Sequence, residues 1–158
     1  MANTISPVSA LRALGVAPDT YGPTINAARS PRDVEALGRA LAESLRPSRP
    51  QNLVMWSTCD DAVLAHVTAL NLDIPVTRAS EVEGILSFDE PFAPGTRVAL
   101  VATHWSGRRL STLRRFVHGR GGEVVALGAV MASEALRDAA DVPRTALVAE
   151  QTAGEVVQ

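Results

Sequence analysis

The sequence predicts an α/β protein with a mostly parallel central sheet flanked by helices. Three observations lead there. The continuous apolar runs "NLVMW", "RVALVA" and "EVVALGAVM" suit strands buried on both faces. Stretches with apolar residues at helical spacing alternate with those runs. Residues 52–78 read as strand, helix, strand, close to the ~30-residue span of a right-handed crossover between parallel strands.

Taken in order, Ser6-Pro7 starts a short helix that stops at Gly15, the serine capping and the proline in the first turn. Residues 15–30 carry no periodic pattern and are expected to be irregular. Ser30-Pro31-Arg32-Asp33 starts a second helix, with the acid in capping-box position. Val34, Leu37, Leu41 and Leu45 then recur at helical spacing until Pro47 ends it. "NLVMWS" (52–57) is a buried strand. A helix from about Asp61 to Leu70 follows, with Asn71 as a left-handed cap. "IPVTR" (74–78) is the next strand, "GILSF" (84–88) a minor one, and Pro91–Gly95 a turn. "RVALVA" (97–102) is a central strand, Leu110–Val117 a helix closed near Gly119–Gly122, and "EVVALGAVM" (123–131) another central strand. Ser133 caps a short helix before a last strand, "TALVAE" (145–150). Residues 1–150 are expected to form one domain and 151–158 a loose tail.

Composition excludes several classes. A hydrophobic share of 46% with 20% charged residues is that of a globular protein. No apolar run approaches the ~20 residues of a membrane span, and the first residues lack a signal-peptide pattern. The single cysteine, Cys59, cannot form an intramolecular disulfide and fits a reducing compartment, so a cytoplasmic location is expected. There is no lysine, which rules out Schiff-base chemistry; all 15 basic residues are arginines. Cys59, His66, His104 and His118 lack any metal-ligand spacing, and neither a metal nor a cofactor is expected. An aromatic share of 4% with an acidic net charge argues against nucleic acid as a partner.

The charge distribution is more informative than the total. Pro91–Gly122 contains no Asp or Glu but holds Arg97, Arg108, Arg109, Arg114, Arg115, Arg120, His104 and His118. Such a run is either a solvated basic helix face or an anion site, since guanidinium forks match phosphate and carboxylate.

Three segments carry a family likeness. They are "ARSPRDVEALGRALAESL", "NLVMWSTCDDAVLAHVTALNLDIPVTRA" and "EPFAPGTRVALVATHWSGRRLSTLRRFVHGRGGEVVALGAVM". In order and spacing the chain resembles the type I phosphoribosyltransferases, most closely the orotate branch, over about residues 7–131. The first segment looks like the helix before that family's core, the second like its first strand, pyrophosphate loop and helix, and the third like its signature region. The resemblance implies a reduced hood, a short flexible loop and a homodimer with the residues after the first helix near the interface.

The departures from that family lie at its functional positions. Its paired acids, which hold the ribose hydroxyls of phosphoribosyl pyrophosphate, are Ala102 and Thr103 here. Its phosphate loop reads Ser106-Gly107-Arg108-Arg109-Leu110-Ser111, and its glycine-rich pyrophosphate loop reads Thr58-Cys59-Asp60-Asp61. Where the orotate branch has a mobile lysine-bearing loop, only Arg78–Gly84 remains. Two like charges ~4 Å apart cost about 4 kcal/mol at an effective dielectric of 20, so acids facing a pyrophosphate would weaken it about a thousandfold.

The expected function is therefore a divergent member of this fold that has lost magnesium-dependent transfer and binds a small phosphorylated or carboxylated metabolite. Thr58, Cys59, Arg78, Thr103, Trp105, Ser106, Gly107, Arg108, Arg109 and Ser111 are its expected ligand-binding residues. The alternative is a remodelled enzyme in which His104 works with Asp60 or Asp61 in acid–base chemistry, with Cys59 in reach.

Overall fold

A computed structural model of the chain describes residues 4–150; the tail expected at 151–158 lies outside them. Helix α1 (Pro7–Leu14) starts where the Ser6 hydroxyl accepts the Ser9 amide and ends at Gly15, whose φ of 77° lies in the left-handed region. The stretch expected to be irregular forms an antiparallel hairpin, β1 (Val16–Asp19) and β2 (Gly22–Ile25). Its two prolines face each other in register, Pro18 against Pro23, which a free two-stranded ribbon tolerates and a wider sheet would not.

Helix α2 (Pro31–Leu45) buries Val34, Leu37, Leu41 and Leu45, the stripe its spacing predicts. The capping box is not made: the Ser30 hydroxyl donates to the Asp33 carboxylate instead of capping an amide. Strand β3 (Asn52–Trp56) is buried throughout, as a strand covered on both faces must be. Helix α3 (Cys59–Leu72) begins before Asp61 because Thr58 caps it, accepting from the Asp61 amide. It ends at Asp73, φ 55°, and not at Asn71, whose side chain stays within the helix and donates to the Val67 carbonyl.

Strand β4 (Val76–Val82) runs past Arg78 and returns through Glu83-Gly84 into β5 (Ile85–Phe88). Both turn residues have positive φ, 50° and 78°, the two-residue geometry that matches strand twist. The shortened loop is thus a tight hairpin. Strand β6 (Arg97–Ala102), α4 (Gly107–Gly119), β7 (Glu123–Met131), α5 (Glu134–Asp138) and β8 (Arg144–Val148) complete the order. Helix α4 starts three residues before the expected Leu110, because Ser106 is its cap.

The six-stranded sheet has the order β5-β4-β3-β6-β7-β8, parallel except at β4–β5. The chain winds outward from β3 to β5 and then returns to β6 on the other side of β3. Strand order therefore reverses between β3 and β6, where ligands of such sheets sit beyond the carboxyl ends. Alternate residues divide the core: Leu53, Met55, Ala99 and Val101 pack under α1–α3, while Val54, Trp56, Leu100 and Ala102 pack under α4 and α5. No helix among the described residues is long and apolar enough to cross a membrane.

One glycine sets the distance between α2 and α3. A Cβ on Gly38 would stand 2.6 Å from Val67 Cγ1 and 3.1 Å from the Thr68 amide nitrogen. Alanine would favour the helix by about 1 kcal/mol, but the β-branched valine and the backbone cannot both retreat. Gly38→Ala is expected to destabilise by about 1–3 kcal/mol net, measured by urea unfolding; a neutral result would show that the two helices move apart freely.

Candidate functional site

Two loops meet at the switch point: Ser57–Thr58 after β3 and Thr103–Ser106 after β6. Asp61 joins them. Its buried carboxylate accepts the Thr103 amide at 2.9 Å and the Thr103 hydroxyl at 2.7 Å through one oxygen. Burial pushes this carboxyl above its ordinary value, and the two bonds from Thr103 pull against that push. Asp60 reaches the other way and accepts the Ala27 amide at 2.9 Å, fastening the residues after the β1–β2 hairpin to the start of α3.

His104 wedges under the same hairpin. A Cβ added at Gly22, where φ is 120°, would lie 2.9 Å from the His104 Nδ1. Only a glycine permits both that backbone and that approach. The Nδ1 is buried and has no hydrogen-bond partner among the described residues, and burial holds the imidazole pKa below its ordinary value, with Glu150 opposing weakly. No hydrogen bond or ion pair joins His104 to Asp60, Asp61 or Cys59. Of the three residues expected to share acid–base work, Asp61 bonds to Thr103, Asp60 to the segment after the hairpin, and His104 packs against Gly22. The cavity left among Thr58, Asp61, Thr103, His104 and the hairpin is about 20 Å³, room for one water.

A more open cleft lies beside it. About 310 Å³ in volume, it is bounded by Tyr21 of the β1–β2 turn, Trp56 and Ser57 at the end of β3, and Ala79–Glu81 of β4. The Glu83-Gly84 turn and Arg108, Arg109 and Thr112 of α4 close it. Its floor is built around Arg109. That guanidinium carbon stands 3.6 Å from the Tyr21 ring centroid and 5.2 Å from that of Trp56, while the Trp56 indole donates to the Arg109 carbonyl at 3.2 Å. The two rings hold the guanidinium group by cation–π attraction. Arg108, one residue earlier, is exposed at the cleft wall.

The other expected ligand residues divide. Ser106 caps α4, accepting the Arg109 amide at 3.3 Å, and Gly107 follows as the first helical residue. The Ser111 hydroxyl donates to the Arg108 carbonyl. Trp105 is a core residue, 1% exposed, with its indole bound to the Gly128 carbonyl. Thr58 is a helix cap, and Cys59 is exposed beside it. Arg78 lies on the opposite face of β4, near Met55, Ala62 and His66, and pairs with Asp89 at 2.7 Å. Strand alternation carried that signal: Val76 packs toward α3, so Arg78 does too. Tyr21, Trp56, Ser57, Glu81 and Glu83 enter the cleft without having been marked as ligand residues by the sequence.

No family model matches the sequence, and no curated protein does. Solved structures do. Orotate phosphoribosyltransferase of Mycobacterium tuberculosis superposes with a TM-score of 0.69 at 18% identity, over 94% of this chain and 96% of that one. Adenine phosphoribosyltransferase of Trypanosoma brucei gives 0.72 at 12% identity, over 96% and 83%. That of Rhodothermus marinus gives 0.72 at 18%, over 90% and 98%. Likeness at such identities is likeness of architecture: the chain has the type I phosphoribosyltransferase fold.

Proposed function

We propose that this chain uses the phosphoribosyltransferase fold to bind a small anionic metabolite at the start of α4, and that it does not carry out magnesium-dependent phosphoribosyl transfer. The observation that carries this reading is the position of Arg108 and Arg109. Both line the 310 Å³ cleft, at the low end of the range for small-molecule sites, while the space among Thr58, Asp61, Thr103 and His104 is only about 20 Å³. The M. tuberculosis neighbour is known with inorganic phosphate and with 5-phospho-alpha-D-ribosyl 1-diphosphate, and the T. brucei enzyme with AMP, pyrophosphate and ribose-5-phosphate. Phosphate recognition is therefore at home on this fold. Here it would fall to two guanidinium groups and the first turn of α4.

Inorganic phosphate tests the reading. At a hundredfold excess over its dissociation constant, ligand linkage adds about 2.7 kcal/mol to the unfolding free energy, a visible rise in melting temperature. The double variant Arg108→Ala, Arg109→Ala is expected to lose that rise, each protein being compared with itself without phosphate. A rise of the same size in the variant would put the anion elsewhere.

A further inference from the structure

The cleft has two walls of opposite charge. Arg108 and Arg109 stand on α4, and Glu81 and Glu83 stand on the β4–β5 hairpin facing the same space. Among the described residues none of the four takes part in an ion pair, although five such pairs form elsewhere on the molecule. The two walls make no direct ion pair with each other, and a molecule of the cleft's size would lie between them.

From this we propose, resting on the anion-binding reading above, that the ligand class is a small zwitterion. Its phosphate or carboxylate meets the two arginines and its ammonium meets the two glutamates. A ligand carrying several negative charges would pair one end and be repelled at the other. A singly anionic ligand without an amine would leave both carboxylates unanswered. The zwitterion alone matches both walls, and the Ser57 and Thr112 side chains between them add hydrogen-bonding capacity without charge. The tight Glu83-Gly84 turn sets the backbone from which the two glutamates project.

The test compares ligands of matched size by calorimetry on the whole chain: inorganic phosphate, ethyl phosphate and O-phosphoethanolamine, with γ-aminobutyrate against butyrate as the carboxylate arm. Exposed ion pairs are worth up to about 1 kcal/mol, so the amine is expected to improve affinity about fivefold in at least one arm, which also identifies the anion. In the variant Glu81→Gln, Glu83→Gln that preference is expected to vanish while binding of ethyl phosphate is kept or improved. Equal affinity with and without the amine in wild type would overturn the proposal, as would a preference that survives in the variant. If neither inorganic phosphate nor butyrate binds, the anion-binding reading falls as well; if one of them binds and the amine brings nothing, only the zwitterion is wrong.

Discussion

Asp61→Ala is expected to cost the fold about 3 kcal/mol at neutral pH, and Asp61→Asn much less. One carboxylate oxygen accepts both the amide and the hydroxyl of Thr103, and Thr103 is 2% exposed. Alanine leaves two buried donors without an acceptor, each worth about 1–3 kcal/mol. Asparagine keeps a carbonyl oxygen in that place and drops the charge, which matters because burial raises the Asp61 pKa from its ordinary 3.8. A carboxyl raised in the folded state gives stability that is fully present below the unfolded value and lost as pH rises through the folded one. Asp61 in its ionised form thus carries a burial cost that asparagine escapes. The gap between Asp61→Asn and wild type should therefore move in favour of wild type as pH is lowered toward 4. Urea unfolding of both variants at pH 7 and pH 4 measures it. Equal damage from alanine and asparagine at pH 7 would mean that the charge, and not the acceptor, holds the two loops.

Such a bond was beyond reach of the sequence because its partners stand 42 positions apart. What the sequence does carry is local. Strands β3, β6 and β7 show as unbroken apolar runs because both faces are covered, and α2 shows through its buried stripe. The β1–β2 hairpin left no such trace: β1 is mostly exposed and both strands contain proline, so neither alternation nor propensity marks them. With the hairpin unread, Tyr21 could not be placed over Arg109. The early starts of α3 and α4 have a common cause. In sequence Thr58 and Ser106 look like loop residues offering hydroxyls to a ligand, and both spend those hydroxyls on helix amides. Arg108 and Arg109 were legible because charge without counter-charge is visible in one dimension. Glu81 and Glu83, on a segment read as the remnant of a loop, were not.

Incubated with phosphoribosyl pyrophosphate, magnesium and orotate or adenine, the purified chain is expected to release no pyrophosphate above background. The ribose side of that reaction builds positive charge, which acids after the signature strand would stabilise, and the residues there are Ala102 and Thr103. Losing one preorganised electrostatic group costs about a hundred- to a thousandfold in rate, and here the loops around it are also bonded together through Asp61. Restoring the acids is not expected to restore the reaction. Ala102 is 2% exposed within the core under α4, so Ala102→Asp buries a charge among Trp56, Leu100 and Leu110. Thr103→Asp removes the donor that Asp61 needs and sets two carboxylates side by side. The measurement is pyrophosphate release by wild type and by the double acid variant, after tag removal, across a range of protein concentrations. A rate proportional to wild-type concentration would overturn the expectation. Activity gained by the acid variant alone would show instead that the Asp61 latch can open, and that two side chains were all that separated this site from transfer.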